Sequence, residues 1–304
     1  MRKGSFKHHQ YAFAAIVLVP AIFWLLTLRY GPILYMGYLS TQDWQALSAG
    51  KQAFIGLENF RQALFNDELL RKAIFNTIHY VVLFISIQLP LALIISLWIN
   101  SIKKEGYRQL ALTAYFLPLI TSITATSVLF VFLYNPVNGL FNYVLRSLGL
   151  ATYSFLKSPD TALNSVVIMN IWKSLGFPIV IFYAGLQTIP KEYYDAASID
   201  GANIWQRFRY ITWPLLKPTT ALLIIIDMLE TMKVFTPIYI MTGTGSNQPG
   251  GPINSTLVWS LQIYNMAFRY NRLGYGAALS LLLFGLVFVL LAVQLRLSRT
   301  KWES

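Results

Sequence analysis

Residues 74–99 run from Ile74 to Ile99 without one Asp, Glu, Lys or Arg. A spanning α-helix needs roughly 20 mostly apolar residues, and this stretch supplies them. Five more mostly apolar stretches lie at 11–28, 110–134, 163–185, 217–241 and 273–295, and in chain order the fourth of the six is interrupted by Lys173 and the fifth by Asp227, Glu230 and Lys233. The third could be counted twice, because 109–145 is uncharged throughout. Asn135-Pro136 and Asn138-Gly139 are turn signals that end it. The first is longer than the ~7–15-residue apolar core of a signal peptide, and no small-x-small site follows it. It reads as a retained helix. Only 12% of the 304 residues are charged, about half the usual share. That cannot cover a soluble surface, so the expected solvent is the lipid bilayer.

The chain has no cysteine and three histidines, His8, His9 and His79. Disulfides, thiol chemistry and Cys-based metal sites are excluded, and no metal site is expected. The net charge of +12 is spread over the ends of apolar stretches. A nucleic-acid partner needs such charge clustered on one face, and none is expected. Lys and Arg are denser on one set of connections, at positions 2, 3, 7, 103, 104, 108, 191, 207, 209, 217, 296, 299 and 301. By the positive-inside rule both termini are expected in the cytoplasm. Arg71 and Lys72 oppose this unless the amphipathic stretch LENFRQALFNDELLRKA lies at the interface as a helix. Asn76 and His79, near the outer end of the second span, read as interhelical hydrogen-bonders.

On that orientation the longest cytoplasmic connection is YDAASIDGANIWQRFRYITWPLLKP, residues 194–218. Pro190 suits a helix start, and KEYYDAASID reads as a short helix. Gly201 permits a positive φ and a sharp turn. ANIWQRFRYI reads as a second short helix, with Pro214 and Pro218 shaping the way into the fifth span. Ala196 and Ala197 allow close packing, and Trp205 and Phe208 are aromatic anchors of the hot-spot type. The residues themselves leave two readings open: a docking surface, or an amphipathic linker lying on headgroups.

The segment resembles the EAA loop of ABC-importer permeases. Asp195-Ala196-Ala197, three residues, Gly201, nine residues and Ile211-Thr212-Trp213-Pro214 follow that pattern. Asp195 stands for Glu and Trp213 for Leu. AASIDGAN with W-x-x-F-x-x-I-x-x-P resembles the carbohydrate branch. IGLENFRQAL, IYIMTG with GGPINST, and AFRYNRLGYGAALSLLLF extend the likeness over most of residues 55–295, although GSNQP lengthens the loop between IYIMTG and GGPINST.

The resemblance implies an all-α integral membrane protein of six transmembrane helices, with a type I, MetI-like core. Residues 1–72 would form a tail, the first span and an external loop. Residues 73–295 would form the core permease domain, with a coupling loop at 187–217, and 296–304 a cytoplasmic tail. It also implies an ATPase-coupling role for Asp195, Ala196, Ala197, Gly201, Ala202, Trp205, Phe208, Ile211 and Pro214. The implied partners are a second permease subunit as a heterodimer, two ABC ATPase subunits and an extracytoplasmic solute-binding protein. The setting is a prokaryotic inner membrane. ATP and Mg would belong to the partner ATPase. This chain has no G-x-x-x-x-G-K-[ST] loop to cradle phosphates, so it is expected to hold no cofactor and to be no enzyme.

Asp227, Glu230 and Lys233 are three residues apart in the fifth apolar stretch. A charge at mid-membrane costs about 2.5–3.5 kcal/mol, so these side chains must face protein or water. Glu230 can pair with Lys233, and Lys173 of the fourth span is a candidate partner for Asp227. One reading is a substrate path lined by Lys173, Trp172, Asp227, Glu230, Lys233, Thr236 and Tyr239. The other is an internal salt-bridge network. Prolines 20, 90, 118, 178 and 237 suggest kinked spans. Gly274, Gly276, Ala277, Ala278 and Ser280 form a small-residue patch for close helix contact, suited to facing another subunit.

The expected function is the permease of an ATP-driven importer for a sugar, oligosaccharide or related polyol phosphate. The alternative is a carrier driven by an ion gradient, with Asp227 and Glu230 as the ion site. A membrane-embedded enzyme lacks the necessary constellation of groups.

Overall fold

A computed structural model describes residues 13, 16–45, 53–243 and 250–299. Apart from two short strands, Gln42–Asp43 and Ala53–Phe54, paired antiparallel, the regular structure among the described residues is helical. Among the described residues four helices are long and apolar enough to cross a membrane, or up to six if each of two bent pairs is one span. Residues 1–12 and 300–304, which hold the expected N-terminal tail and the end of the expected C-terminal one, and the GSNQP insertion lie outside the described residues.

The chain divides into two compact units. The first joins residues up to Asp67 with Ile263–Phe284. It contains α1 (Ile16–Ser40) and α2 (Glu58–Arg61), which continues as a π turn at Gln62–Asn66. Helix α1 runs past the expected end at 28, so Arg29 is helical rather than in a loop. From Ile16 to Tyr30 its side chains are exposed all round, as a helix that meets lipid or another chain requires, whereas Ile33, Met36 and Leu39 are half-buried. Asn59 is buried and donates to Ser40 O and Gln42 O at 2.8 and 3.0 Å. Tyr275 Oη donates to Asp67 Oδ2 at 2.6 Å.

Two expectations are corrected in and beside this unit. The amphipathic stretch is not one helix. It stops at Asp67, whose backbone is extended (φ −106, ψ 97), and Arg71 and Lys72 belong to the next helix. The small-residue patch of the last span faces this chain. A Cβ on Gly274 would strike Gln42 O, and one on Gly276 would stand 2.8 Å from Ala267 Cβ. Ala277 and Ala278 are buried. The closeness that small residues permit is used within the protomer.

The second unit joins Glu68–Gln262 with the residues from Gly285 on. Its central helix, α3 (Glu68–Ser101), packs against α7 (Ala162–Ser174), α8 (Gly176–Gln187) and α10 (Ile204–Thr231). Tyr80, Ile179, Phe182, Leu216 and Leu223 are fully buried there. Asn76 donates to Asn254 O and Leu257 O, and His79 Nε2 lies 3.0 Å from Asn164 Oδ1. Both bridge segments as the sequence suggested.

The third span is not a single straight rod. Helices α4 (Glu105–Ile120) and α5 (Ile123–Leu133) meet at 94°. Thr121 closes the break by donating its backbone N–H and its hydroxyl to Pro118 O, and Ser122 restarts the chain in an extended conformation. After α6 (Leu140–Ser147), helices α7 and α8 meet at 48°. Pro178 lacks the N–H that Ser174 O would accept. Pro90, by contrast, lies inside an unbroken α3.

Candidate functional site

The polar connection after α8 folds as two helices at a sharp turn. Pro190 (φ −58, ψ 137) opens α9 (Lys191–Ile199). Gly201 follows with φ +74. Ala202 N–H donates to Ala197 O at 2.8 Å, and Gly201 N–H to Ser198 O at 3.2 Å. These are the two bonds of a Schellman cap, with glycine at its left-handed position. The small residues at 197 and 202 are the ones whose backbones close it.

Asn203 then starts α10 with a reciprocal cap. Gln206 N–H donates to Asn203 Oδ1 at 2.9 Å, and Asn203 N–H to Gln206 Oε1 at 2.7 Å. The N-x-x-Q pattern carried that signal in the sequence, although it was not read there. Arg207 Nε donates to Ala202 O at 3.0 Å. The Tyr194 and Thr212 hydroxyls meet at 2.9 Å and tie the two limbs together.

The second limb is not a separate short helix, contrary to expectation. It runs unbroken into the fifth span as α10. In an α-helix Pro214 would clash with the carbonyl four residues back. A π turn at Phe208–Thr212, in which Trp213 N–H reaches Phe208 O, widens the helix before the proline. Ile199, Ile204 and Trp205 are 88%, 86% and 67% exposed. Asp195 and Ala196 are exposed too, Ala197, Ala202, Phe208, Ile211 and Pro214 are half-buried, and the Trp205 ring lies tilted against Phe208, with centroids 5.6 Å apart.

At its other end α10 carries Asp227 and Glu230. These two, with Lys173, Lys233 and Thr236, line one cavity of about 520 Å³. Gln88, Asn170, Ser174, Phe177 and Phe235 line it as well. The other two path candidates are elsewhere: Trp172 packs 5.3 Å from Phe130, and Tyr239 stacks on Phe235 at 5.3 Å.

The expected ion pairs do not form. Helix α10 ends at Thr231, so Lys233 sits in a turn rather than on the helix beside Glu230. Lys173 Nζ donates to Leu119 O in the last turn of α4 at 3.2 Å. There it meets the negative end of a helix dipole, not Asp227. Asp227 is 6% exposed, and its Oδ2 has no hydrogen-bond partner. Gln88 was missed by the sequence reading, although a lone glutamine inside an uncharged span marks a polar interior position. It is 1% exposed and donates to Ser174 Oγ at 3.1 Å, while its Oε1 is unpartnered.

The threonine-glycine and glycine-glycine pairs on either side of the insertion are close in space. Thr242 Oγ1 lies 2.7 Å from Thr256 Oγ1, and Thr256 N–H donates to Gly250 O at 2.8 Å. Gly251 (φ +72) fits against Thr256 and Thr242, where a Cβ would not. Residues 244–249 lie outside the described residues.

A family model described as binding-protein-dependent transport system inner membrane component matches residues 69–302. The chain is 34% identical over 251 residues to the trehalose/maltose transport system permease protein MalF of Thermococcus litoralis, covering 82% of this chain and 81% of that one. It is 32% identical over 257 residues to the arabinooligosaccharides transport system permease protein AraP of Bacillus subtilis, covering 84% and 80%. Among solved structures, a chain of a bacterial alginate ABC transporter, in complex with an alginate pentasaccharide-bound periplasmic protein, superposes with a TM-score of 0.84. It shares 27% identity, with 99% of this chain and 98% of that chain covered.

Proposed function

The chain belongs to the family of binding-protein-dependent transport system inner membrane components, and from that premise we propose that it is half of the translocation path of an ATP-driven saccharide importer. It spans the inner membrane six times, with both termini in the cytoplasm. A second, paralogous permease completes the path, two ABC ATPases drive it, and an extracytoplasmic binding protein delivers the solute. The solute class is a sugar, an oligosaccharide or a related polyol phosphate. The relatives named for saccharide transport support that class.

One observation carries the mechanism. Helix α10 is a single rod from the exposed knuckle to the cavity. At 1.5 Å per residue, Trp205 and Asp227 are about 33 Å apart along it. The knuckle is the surface on which an ATPase would dock, through Asp195, Ala196, Ala197, Gly201, Ala202, Trp205, Phe208, Ile211 and Pro214. Its caps leave little slack, so a displacement at Trp205 tilts α10 as a lever. Asp227 and Glu230 then move relative to Lys173 on α7, and the cavity walls shift. ATP and Mg stay in the partner. Lys173, Asp227, Glu230, Lys233 and Thr236 line the solute path, with Trp172 and Tyr239 behind it.

The Tyr194–Thr212 bond couples the two limbs of the lever. Tyr194→Phe removes a hydrogen bond of about 0.5–1.5 kcal/mol. The expected result is a severalfold fall in solute moved per ATP hydrolysed, with ATPase docking kept. Unchanged stoichiometry would remove the hydroxyl pair from the mechanism.

The function itself is tested by uptake into vesicles holding the purified complex. Accumulation that needs ATP and the binding protein is the expected outcome. Accumulation on a proton or sodium gradient without ATP would instead make Asp227 and Glu230 an ion site.

A further inference from the structure

A groove of about 570 Å³ lies between α3 and the knuckle half of α10. Its walls are apolar: Ile85, Leu89, Pro90 and Leu93 of α3, Phe182 of α8 and Ile224 of α10. Three aromatic rings close the end at the knuckle. Phe208 stands between Trp205 and Trp213, with ring centroids 5.6 and 6.4 Å away. The polar side chains of the lining are Ser86, Thr220 and Arg209. Thr220 Oγ1 donates to Leu216 O of its own helix at 3.0 Å. Arg209 lies at the knuckle end and is exposed. Among the described residues its guanidinium makes no hydrogen bond or ion pair.

An apolar groove with one cation at its mouth suits an amphiphile with an anionic head. The lengths agree with that. Arg209 and Ile224 are fifteen residues apart, roughly 22 Å along the helix. One leaflet measures about 20–22 Å from midplane to the outer edge of its headgroups, of which ~15 Å is hydrocarbon. With Ile224 at the midplane, Arg209 stands in the headgroup layer. Trp213, about 16 Å from that plane, takes the interfacial place that tryptophan favours. Basic pockets between spans on the cytoplasmic side hold anionic headgroups, and the planar guanidinium fork matches two phosphate oxygens. A helix of another chain would have to bring a carboxylate to answer Arg209, whereas the leaflet carries phosphodiesters at that depth already.

We propose that this groove binds an anionic phospholipid of the inner leaflet, with one acyl chain between α3 and α10 and the phosphodiester on Arg209. The inference is independent of the solute and needs only that the knuckle faces the cytoplasm, as proposed above.

The test uses the complete transporter, purified with its own partners and reconstituted in vesicles of equal parts phosphatidylglycerol and phosphatidylcholine. A trace of one lipid or the other carries a diazirine near the end of one acyl chain. After photolysis, mass spectrometry locates the labelled residues. The expected result is about fivefold more label at Ile85–Ser86 and Thr220–Ile224 from phosphatidylglycerol than from phosphatidylcholine, the preference given by about 1 kcal/mol per cation. The exposed Ile16–Tyr30 stretch of α1 should take both lipids equally. Arg209→Gln should bring the ratio in the groove to about one. Ser86→Trp fills the groove and should lower its labelling by both lipids severalfold. Lys217→Gln removes an exposed cation outside the groove and should leave the ratio unchanged. Equal labelling of the groove by the two lipids in the native chain overturns the proposal. So does a ratio lost equally in Lys217→Gln and Arg209→Gln, which would make it an effect of general surface charge. No label in the groove while α1 is labelled means that another protein chain covers it, and overturns the proposal as well.

Discussion

Gly201→Val should lower ATP-driven transport by up to about thirtyfold and release the ATPase from the complex, while the chain still inserts and folds. Gly201 has φ +74, and a Cβ built there meets nothing within 4 Å. The damage therefore comes from the backbone alone. An L-residue in the left-handed region pays about 1–2 kcal/mol, and a β-branched one is a true outlier there. Two kilocalories is roughly a thirtyfold change in population. The chain escapes that cost by opening the Schellman cap, and the two limbs of the knuckle lose their fixed angle. Asparagine tolerates the left-handed region far better, so Gly201→Asn should keep most of the activity. Uptake and co-purified ATPase, measured for both variants, check the pair. Normal transport by the valine variant would contradict the account of the knuckle.

The second large effect concerns packing. Gly176→Val should cost about 3 kcal/mol or more, at the upper end of overpacking penalties, and largely abolish recovery of folded chain. Gly176 opens α8 where it crosses α4. A Cβ there would stand 2.8 Å from Phe116 Cα and 2.9 Å from Tyr115 C, and would overlap Tyr115 O. Those are backbone atoms of a helix and cannot step aside. Gly185 makes the contrast. Its Cβ would meet Leu216 Cδ2 at 3.0 Å and Thr219 Oγ1 at 3.1 Å, both ends of movable side chains. Gly185→Ala should be far milder, and Gly106→Ala, with nothing within 4 Å, close to neutral. Thermal unfolding in detergent should rank the three in that order. Equal stability of the Gly176 and Gly185 variants would contradict the crossing geometry.

Much of the architecture was legible because its causes are local. Uncharged runs such as 74–99 mark α3, and Pro190 and Gly201 mark the turn of the knuckle through φ alone. What was not legible depends on neighbours. Pro214 read as a boundary, yet a π turn absorbs it and joins the knuckle to the span. Glu230 and Lys233 read as a pair on one helix, but the helix ends between them, at Thr231. Lys173 read as a partner for Asp227, and its actual acceptor is the Leu119 carbonyl, which exists only because the chain breaks at Thr121-Ser122. The glycine and alanine stripe of the last span gave the closeness of its contact but not the identity of its neighbour. Gln88 carried a visible signal, a polar residue in an apolar run. Its tie to Ser174 needed three-dimensional placement.

The central claim is that an ATPase acts on this chain through the knuckle. The most direct measurement is quantitative mass spectrometry of what co-purifies with the chain from its own membranes in mild detergent. The account predicts an ABC ATPase and a second permease with the native chain, and loss of the ATPase alone with Gly201→Val. Recovery of the chain with only copies of itself, in vesicles that transport on an ion gradient without ATP, would contradict it.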